Sequence, residues 1–399
     1  ITGGSTVRGL RKYLTPFAPD QSGAVSVLYE LGGLIAICDA GGCTGNVCGF
    51  DEPRWFEQKS ALFSAGLRDM DAILGRDDRL VEKLVDAASK LDVKFVAIIG
   101  TPVPAVIGTD YKALGRMCEK RLNMPVITID TDGMELYDVG EEKAWLELFG
   151  TFAETGNPNL DIEKKRGKNG VLGLTPQDIS DLRAPKKIRE YYQEKEGKEA
   201  ICYCMGDNVG RMVYGLDNDR TAGEVEKNIV VSPAALAAAK YLEKTFGTPY
   251  EATYPIVEEL VPDMDYRGKK ILIVHQQVIG NAMRAEIRRR CQKVNGDPSV
   301  DNNAVITVAS WFMMKQELSE EGDISFREED DYMELVKEED YDIVFADPMM
   351  KRMTEDAYKM AGTGCMAEGY ETERKRIFID ATHFAVSGKL REEMKKREA

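Results

Sequence analysis

Three cysteines in one short segment are the residues of this chain whose type and spacing best suit chemistry. Cys38, Cys43 and Cys48 are separated by four residues each, and the segment that holds them contains four glycines. Thiolates are the ligands of iron–sulfur clusters and of zinc, and glycines let the backbone approach a bulky inorganic group. The spacing therefore predicts a metal-binding loop. The alternative is that the three cysteines pack in the protein interior.

The cysteine spacing also limits the kind of metal site. Zinc sites usually contain two pairs of closely spaced cysteines, and this segment has no second pair. Three ligands from one loop leave a fourth to come from elsewhere, such as another subunit or a carboxylate. The sequence leaves open whether Asp39 or Asp51 supplies an oxygen ligand.

The chain has two histidines, His275 and His383. Each is predicted to follow a β-strand, at the edge where α/β folds bind their ligands. We therefore treat both as candidate catalytic residues, either proton donors or substrate contacts; the alternative is a hydrogen-bonded structural role. Two histidines are too few for a histidine-built metal site within one chain. The glycine patterns that bind dinucleotides or phosphates are absent, so no nucleotide site is predicted in this chain.

Short β-branched apolar runs alternate with helical stretches along most of the chain. Residues 78–91, for example, have apolar side chains at helical spacing and charges on the opposite face, and residues 26–37 also have helix-compatible spacing. Such alternation is typical of parallel sheets with crossover helices. Strands are predicted at residues 94–100, 125–130, 200–205, 269–275, 304–309, 342–346 and 376–380, and further helices at 109–122, 233–246 and 280–294.

The alternation predicts an α/β fold of three stacked units. Residues 1–155 form an N-terminal α/β domain with the cysteine loop, residues 200–265 a second α/β domain, and residues 266–399 a third. Residues 156–199 differ in kind, because they combine Gly156-Asn157-Pro158-Asn159 with a basic cluster. We expect them to form a connecting segment between the first and second domains.

The composition excludes several classes of partner. Lys and Arg number 53 against 68 Asp and Glu, which gives a net charge of −15. This excess of acid argues against nucleic acid, which needs clustered cations, and against an anionic membrane surface. No apolar stretch approaches the ~20 residues of a membrane helix. The first residues lack a basic region followed by an apolar one, so we expect a cytoplasmic protein with reduced cysteines.

Several motifs occur in an order that resembles one known family. They are Gln21-Ser22-Gly23-Ala24-Val25, Ala40-Gly41-Gly42-Cys43-Thr44-Gly45, residues 100–110, Thr131-Asp132-Gly133-Met134 and Phe246-Gly247-Thr248-Pro249-Tyr250, followed by the strand regions 269–280 and 342–346. Together they resemble the nitrogenase component 1 proteins. This family includes the molybdenum–iron protein subunits and the catalytic subunits of dark-operative protochlorophyllide reductase and of the nickel-tetrapyrrole reductive cyclase.

The resemblance implies three Rossmann-like domains, each with a parallel sheet flanked by helices. It also implies a homodimer, or a heteromer with a sister subunit, with an iron–sulfur cluster (4Fe–4S or larger) at the subunit interface. Electrons would come from a separate nitrogenase iron protein-like, ATP-dependent reductase. That reductase would hold the nucleotide, in agreement with the missing phosphate-binding motif.

The chain departs from the family pattern at the cluster ligands. Cys43 falls at a ligand position of the family, whereas the other two cysteine positions fall on or near Pro19 and on Thr101. Cys38 and Cys48 lie outside the family pattern. We expect them to replace the missing ligands, so that one loop supplies the cluster ligands of this chain.

The resemblance also bears on the reaction. The cysteine that holds the catalytic cofactor of nitrogenase falls on about Val231 or Ser232, and His383 lies near the corresponding histidine region. We therefore expect neither a molybdenum–iron cofactor nor dinitrogen reduction. The leading hypothesis is an oxidoreductase subunit that accepts low-potential electrons and reduces a small-molecule substrate. The alternatives are an iron–sulfur cluster or cofactor scaffold of the same family, and a structural module whose cysteines only pack.

Overall fold

The structure is a computed structural model that describes residues 11–68, 77–153, 167–205, 225–293, 303–360 and 376–388. Its strands form three parallel sheets flanked by helices, which confirms the predicted α/β fold. The chain divides into two compact units. One is Phe17–Pro255, and the other joins Ile1–Pro16 to Ile256–Ala399. Within the ranges given, no helix combines the length and the apolar character needed to cross a membrane.

The first sheet has four parallel strands in the order β2-β1-β3-β4. The strands are β1 (Leu34–Ile37), β2 (Ala61–Ser64), β3 (Val96–Ile99) and β4 (Val126–Ile129). The helices of this region are α1 (Asp20–Leu28), α2 (Gly42–Asn46), α3 (Asp77–Ala88), α4 (Pro102–Ile107), α5 (Tyr111–Leu122) and α6 (Tyr137–Phe152). Helix α3 buries Leu80, Val81 and Leu84 along one face, as its helical period predicts.

Residues 26–37 differ from the helical prediction. Helix α1 ends at Leu28, and strand β1 begins six residues later at Leu34. Gly32 has a left-handed φ of 73°, and a Cβ at Gly33 would lie 2.4 Å from the ring of Phe95. The two glycines turn the chain from helix into strand. Because both elements are apolar and buried, their side chains form one continuous pattern in the sequence.

The second sheet has the order β6-β5-β7-β8 and is also parallel. Its strands are β5 (Lys168–Leu172), β6 (Glu199–Cys202), β7 (Lys227–Val230) and β8 (Tyr250–Ala252), and its helices are α7 (Ala184–Glu196) and α8 (Leu236–Phe246). Strand β5 is an inner strand, although it lies in the stretch that we expected to connect two domains. It begins Lys168-Asn169-Gly170, so only its last two residues carry the apolar signal of a buried strand.

The third sheet belongs to the other unit and has the order β11-β10-β9-β12-β13. Its strands are β9 (Lys270–Val274), β10 (Val305–Ser310), β11 (Ile324–Ser325), β12 (Ile343–Ala346) and β13 (Ile377–Asp380). Its helices are α9 (Gln277–Lys293), α10 (Glu329–Glu339), α11 (Lys351–Met360) and α12 (Phe384–Ser387). The carboxylate of Glu329 accepts hydrogen bonds from the backbone N–H groups of residues 12–14. These residues therefore pack with the C-terminal unit, whereas the domain prediction placed them in the N-terminal one.

Helices α1 and α6 touch at backbone level. A Cβ at Gly23 would lie 1.8 Å from the Tyr137 carbonyl oxygen, and a Cβ at Gly140 would lie 1.7 Å from the Asp20 carbonyl oxygen. Only glycine allows an approach this close. The crossing fixes α1, which leads into β1 and the cysteine loop.

Candidate functional site

The three cysteines follow the first strand of the first sheet. In parallel α/β sheets, ligands bind beyond the carboxyl ends of the strands, where the strand order reverses, and here the order reverses between β1 and β3. Cys38 directly follows β1, Cys43 lies in α2, and Cys48 lies in a π-helical turn over Val47–Asp51. Single π-helical turns are frequent at functional sites. The loop therefore occupies the place in the sheet where a ligand site is expected.

Cys43 and Cys48 are both partly exposed. Burial raises the pKa of each thiol, and the nearby charges of Asp39 (for Cys43) and Glu52 (for Cys48) raise it further. Both groups are therefore protonated at neutral pH in the metal-free chain. A bound metal would have to displace these two protons.

Cys38 lies behind the loop and is 1% exposed. It packs in an apolar cluster that includes Leu114 and Cys118, and burial raises the pKa of its thiol to about 12. Its carbonyl oxygen accepts a hydrogen bond of 2.7 Å from the Thr101 hydroxyl, which ties the carboxyl end of β1 to that of β3. This burial favours a packing role, and the ligand role of Cys38 stays a prediction.

The two positions at which the resemblance places further cysteines have structural roles here. Pro19 immediately precedes α1 and pairs with Leu136 through an isolated antiparallel bridge. Thr101 is buried and makes the hydrogen bond to Cys38. In the part of the chain that the structure describes, no three His, Cys, Asp or Glu side chains converge so that they could hold a metal ion.

The loop nevertheless fits part of an iron–sulfur site. Nothing lies within 4 Å of the place that a Cβ would take on Gly42, Gly45 or Gly49, so there is open space beside the backbone. A cluster with four cysteine ligands needs two thiolates besides Cys43 and Cys48. A second subunit that presents the same loop would supply them.

Asp39 connects the start of the loop to the sheet. It is 2% exposed, and both of its carboxylate oxygens accept hydrogen bonds. Oδ2 accepts from the Thr44 N–H at 2.7 Å, and Oδ1 accepts from the Thr44 hydroxyl at 3.0 Å and the Ser64 hydroxyl at 2.6 Å. Thr44 adjoins Cys43, and Ser64 ends strand β2.

Asp51 closes the other end of the loop. Its Oδ2 accepts hydrogen bonds from the Ser22 hydroxyl at 2.6 Å and from the Asn46 side-chain amide at 2.7 Å. Its carbonyl oxygen accepts a hydrogen bond from the side-chain amide of Gln177. Burial raises the pKa of Asp51 to about 6. Cys48 lies between Asn46 and Asp51, so this bond closes the turn around the thiol.

Arg54 anchors the segment that follows the π-helical turn. Its guanidinium donates two hydrogen bonds of 2.7 Å to the Glu52 carboxylate and one of 3.0 Å to Glu30. It also donates to the Ser26 carbonyl at 2.7 Å and lies 4.7 Å from the centre of the Tyr29 ring. Although burial opposes the charge, the Glu52 and Glu30 carboxylates raise the pKa of Arg54 above its usual value.

Exposed apolar side chains surround the cysteine loop at the same edge of the sheet. Phe50 follows Cys48 in the π-helical turn and is 61% exposed. Val106 in α4 and Met134 after β4 are 85% and 81% exposed. Groups of exposed apolar side chains mark surfaces that bind a partner.

The two histidines lie close together at the edge of the third sheet. The sequence predicted this edge position for each of them. Their rings are stacked, with centroids 4.5 Å apart and planes 11° apart. The Gln276 N–H donates to Nδ1 of His275 at 2.9 Å, so Nε2 carries the proton and donates to the Thr382 carbonyl at 3.1 Å. Burial, and then the proximity of His383, lower the pKa of His275 well below its usual value. Both ring nitrogens of His275 are therefore in use, and its catalytic role, like that of His383, stays a prediction.

The strand order of the second sheet reverses between β5 and β7. Protein atoms fill the space at this point. A Cβ at Gly173 would lie 2.7 Å from the Cβ of Ser232. The Ser232 hydroxyl accepts a hydrogen bond of 3.2 Å from the Ala234 N–H. Val231 and Ser232, where the resemblance places the cofactor cysteine, are both buried and offer no thiol.

The sequence did not indicate the roles of Arg54, Asp39 and Asp51 in shaping the loop. The sequence does not distinguish a buried arginine from an exposed one. Only the three-dimensional structure shows that Arg54 is paired with Glu30. A signal for Asp39 exists in its place just before a short helix, where acidic side chains accept hydrogen bonds from backbone N–H groups.

Comparison with known proteins identifies relatives of the chain. Residues 22–257 match the family described as nitrogenase component 1 type oxidoreductase, which is more than half of the chain. A curated relative, the nitrogenase iron-molybdenum cofactor biosynthesis protein NifE of Bradyrhizobium diazoefficiens, is 24% identical over 194 residues. The match covers 47% of this chain and 32% of that protein, so the chain spans less than half the length of this relative.

Solved structures agree with this match. A structure of nitrogenase Cp1 at pH 6.5 has a TM-score of 0.62 and 14% identity, and the match covers 88% of this chain and 85% of that one. A structure of nitrogenase Cp1 at pH 5 has a TM-score of 0.58 and 15% identity, with coverage of 87% and 82%. At these identities the similarity concerns the fold.

Proposed function

The chain belongs to the nitrogenase component 1 type oxidoreductase family, and from this membership we propose that it is the iron–sulfur subunit of a nitrogenase-like oxidoreductase. In this role it receives low-potential electrons from an ATP-dependent reductase and reduces a small-molecule substrate. The observation that carries the proposal is the pair of partly exposed thiols, Cys43 and Cys48, at the carboxyl edge of the first sheet.

Cys43 and Cys48 hold the cluster in this proposal, and the same two cysteines of a second subunit complete four ligands. The second subunit is an identical chain or a diverged sister. When bound, a 4Fe–4S or larger cluster supplies electron transfer at a potential that its ligands and solvent exposure adjust. Since each chain brings only half of the ligands, iron loading and subunit association are expected to occur together.

The residues around the thiols have separate tasks. Phe50 lies in the loop and would exclude water once a second subunit covers it. Asp51 can hold a proton near neutral pH, because burial raises its pKa to about 6. The two histidines, whose rings are stacked, stay the candidate proton donors or substrate contacts of this proposal.

The substrate in this proposal is not dinitrogen. Val231 and Ser232 supply no sulfur for a second metal cofactor, and the Ser232 hydroxyl caps the following helical turn. The electron donor would carry the nucleotide, since the sequence has no phosphate-binding glycine pattern. Both features support a subunit that relies on one shared cluster and on a separate reductase.

The second candidate function is a scaffold that assembles or carries a cluster or cofactor for another enzyme. The relationship to the biosynthesis protein NifE favours it. The loop suits it as well, because an exposed pair of thiols can release a cluster as readily as accept one. The two functions differ in what happens to the cluster after loading.

The ligand assignment is tested by anaerobic reconstitution of the full chain with ferrous iron and sulfide. We expect about four iron atoms per two chains in the parent protein and an EPR signal after reduction by dithionite. Cys43→Ala and Cys48→Ala should each lose most of the iron. Cys118→Ala is the control, because Cys118 is buried in the apolar cluster that also contains Cys38. Cys38→Ala should retain the iron, and equal iron in all five proteins would contradict the proposal.

Turnover separates the two functions. The loaded parent is mixed either with a nitrogenase iron protein-like reductase and ATP or with an apo-ferredoxin. Oxidation of the reductase with the cluster retained supports the oxidoreductase. Transfer of the iron to apo-ferredoxin, without any ATP-dependent oxidation, supports the scaffold.

A further inference from the structure

We propose that Asp39 and Asp51 are positioning residues that hold Cys43 and Cys48 ready for a metal before any metal arrives. This inference rests on the proposed function, because it concerns the same two thiols. The observation behind it is that each thiol is flanked by a carboxylate whose hydrogen bonds go to the loop and to a rigid element beyond it.

The loop has little stability of its own. Helix α2 has five residues and the π-helical turn has five, and the segment includes three glycines. Helices this short are unstable in isolation, and glycine makes them less stable. The helical shape of the segment must therefore be imposed by contacts with its surroundings.

Asp39 imposes that shape at the Cys43 side. It engages Thr44, the neighbour of Cys43, through one oxygen on the N–H and the other on the hydroxyl. The hydrogen bond from Ser64 fixes the carboxylate to the end of strand β2. An asparagine can keep these contacts by turning its carbonyl oxygen to the Thr44 N–H and donating its amide to the Thr44 and Ser64 hydroxyls, whereas alanine removes all three hydrogen bonds.

Asp51 does the same at the Cys48 side, but with one oxygen only. In the described structure, both side-chain hydrogen bonds, from Ser22 in α1 and from Asn46 in the loop, reach Oδ2. An asparagine can present its single carbonyl oxygen to both donors. At both sites, therefore, asparagine can preserve the hydrogen bonds and alanine removes them.

The test uses Co²⁺ as the probe, titrated anaerobically into the metal-free full chain. The charge-transfer absorption of cobalt–thiolate bonds reports binding, and the ligand-field bands report its geometry. We expect Asp39→Ala to weaken Co²⁺ binding about 10- to 100-fold, because the competent loop becomes a minor state, and Asp39→Asn to weaken it less. Asp51→Ala should weaken binding about tenfold, and Asp51→Asn should stay within about twofold of the parent.

Asp347→Ala is the matched control. Asp347 is buried and also accepts two backbone hydrogen bonds, from Met349 and His383, but it belongs to the other unit. Its variant should bind Co²⁺ like the parent. If Asp39→Ala does not fold, Ser64→Ala removes one of the three donors to Asp39 and should still weaken binding about threefold.

The outcomes separate positioning from charge and from failure of the proposed function. Removing either carboxylate charge favours thiolates, so Co²⁺ binding that becomes tighter in both Asp39→Ala and Asp51→Ala would overturn the inference. Unchanged binding and unchanged ligand-field bands in Asp39→Ala and Asp51→Ala would also overturn it. A parent protein whose cobalt–thiolate absorption survives in Cys43→Ala and Cys48→Ala would instead overturn the proposed ligands, and this inference with them.

Discussion

Arg54 shows at the scale of one residue how the interior supports an exposed loop. Its planar guanidinium binds both oxygens of Glu52 and one of Glu30, and it stacks on Tyr29. The two remaining donors reach the Ser26 carbonyl in α1 and the Cys204 carbonyl. A lysine ammonium has no such fork and could not make these bonds together. Arg54, which follows the cysteine loop, is thus fixed to helix α1, which precedes the loop.

We predict that Arg54→Met lowers the free energy of unfolding of the metal-free chain by about 3–5 kcal/mol, because Glu52 is left buried without its partner. Urea unfolding measures the change. Lys90→Met is the control, since Lys90 and Asp86 form an ion pair whose side chains are 68% and 67% exposed. That variant should change stability by less than about 1 kcal/mol. A similar small loss in Arg54→Met would show that the buried pair contributes little.

The contact between α1 and α6 is the feature that matters at the scale of elements. Gly23 and Gly140 let the two backbones meet, and each glycine lies against a carbonyl oxygen of the opposite helix. Helix α1 carries Ser22, which donates a hydrogen bond to Asp51. The position of α1 therefore affects the cysteine loop.

Gly140→Ala should therefore destabilise the protein by about 1–3 kcal/mol or more, because the new Cβ would lie 1.7 Å from a backbone oxygen that cannot move alone. Gly150→Ala in the same helix is the matched control. Nothing lies within 4 Å of its Cβ position, so the better helix propensity of alanine should stabilise by up to about 1 kcal/mol. Thermal unfolding of both variants measures the difference, and equal shifts would refute the close crossing.

The elements also show how much of the structure could be predicted from sequence. Helix α3 and the strands of the third sheet have the periodicity or apolar runs that local rules detect. Strand β5 was missed because its buried Asn169 and Gly170 do not look like strand residues. Residue type and spacing made the loop cysteines candidate site residues. The difference in exposure between Cys38 and Cys43 depends on contacts with distant residues. Such contacts leave no local signal.

At the scale of the whole molecule, a buried carboxyl pair makes stability depend on pH. Glu141 in α6 is fully buried beside Asp178, which follows β5. Thr175 donates to Glu141 and Tyr137 donates to Asp178, each at 2.6 Å. Burial, and then the charge of Asp178, raise the pKa of Glu141 well above its usual value. The pair joins the first-sheet and second-sheet parts of one unit.

A raised pKa means that the folded chain keeps a proton that the unfolded chain releases. The free energy of unfolding should therefore fall as pH rises above the usual glutamate pKa of about 4.3, by up to about 1.4 kcal/mol per pH unit. Glu141→Gln mimics the protonated form and should remove this part of the slope, so it stabilises the protein most at neutral pH. Urea unfolding at several pH values tests this, with the exposed Glu194→Gln as control. Parallel slopes for Glu141→Gln and the parent would contradict the raised pKa of Glu141.

The course of the chain through its two units has a consequence for synthesis on the ribosome. Phe17–Pro255 is one continuous stretch, whereas the other unit needs both Ile1–Pro16 and Ile256–Ala399. The emerging polypeptide can therefore complete the cysteine-bearing unit while the residues that finish its neighbour are still untranslated. Residues 12–14 must wait for the last sheet to appear, because the side chain that accepts their backbone hydrogen bonds, Glu329, is made late.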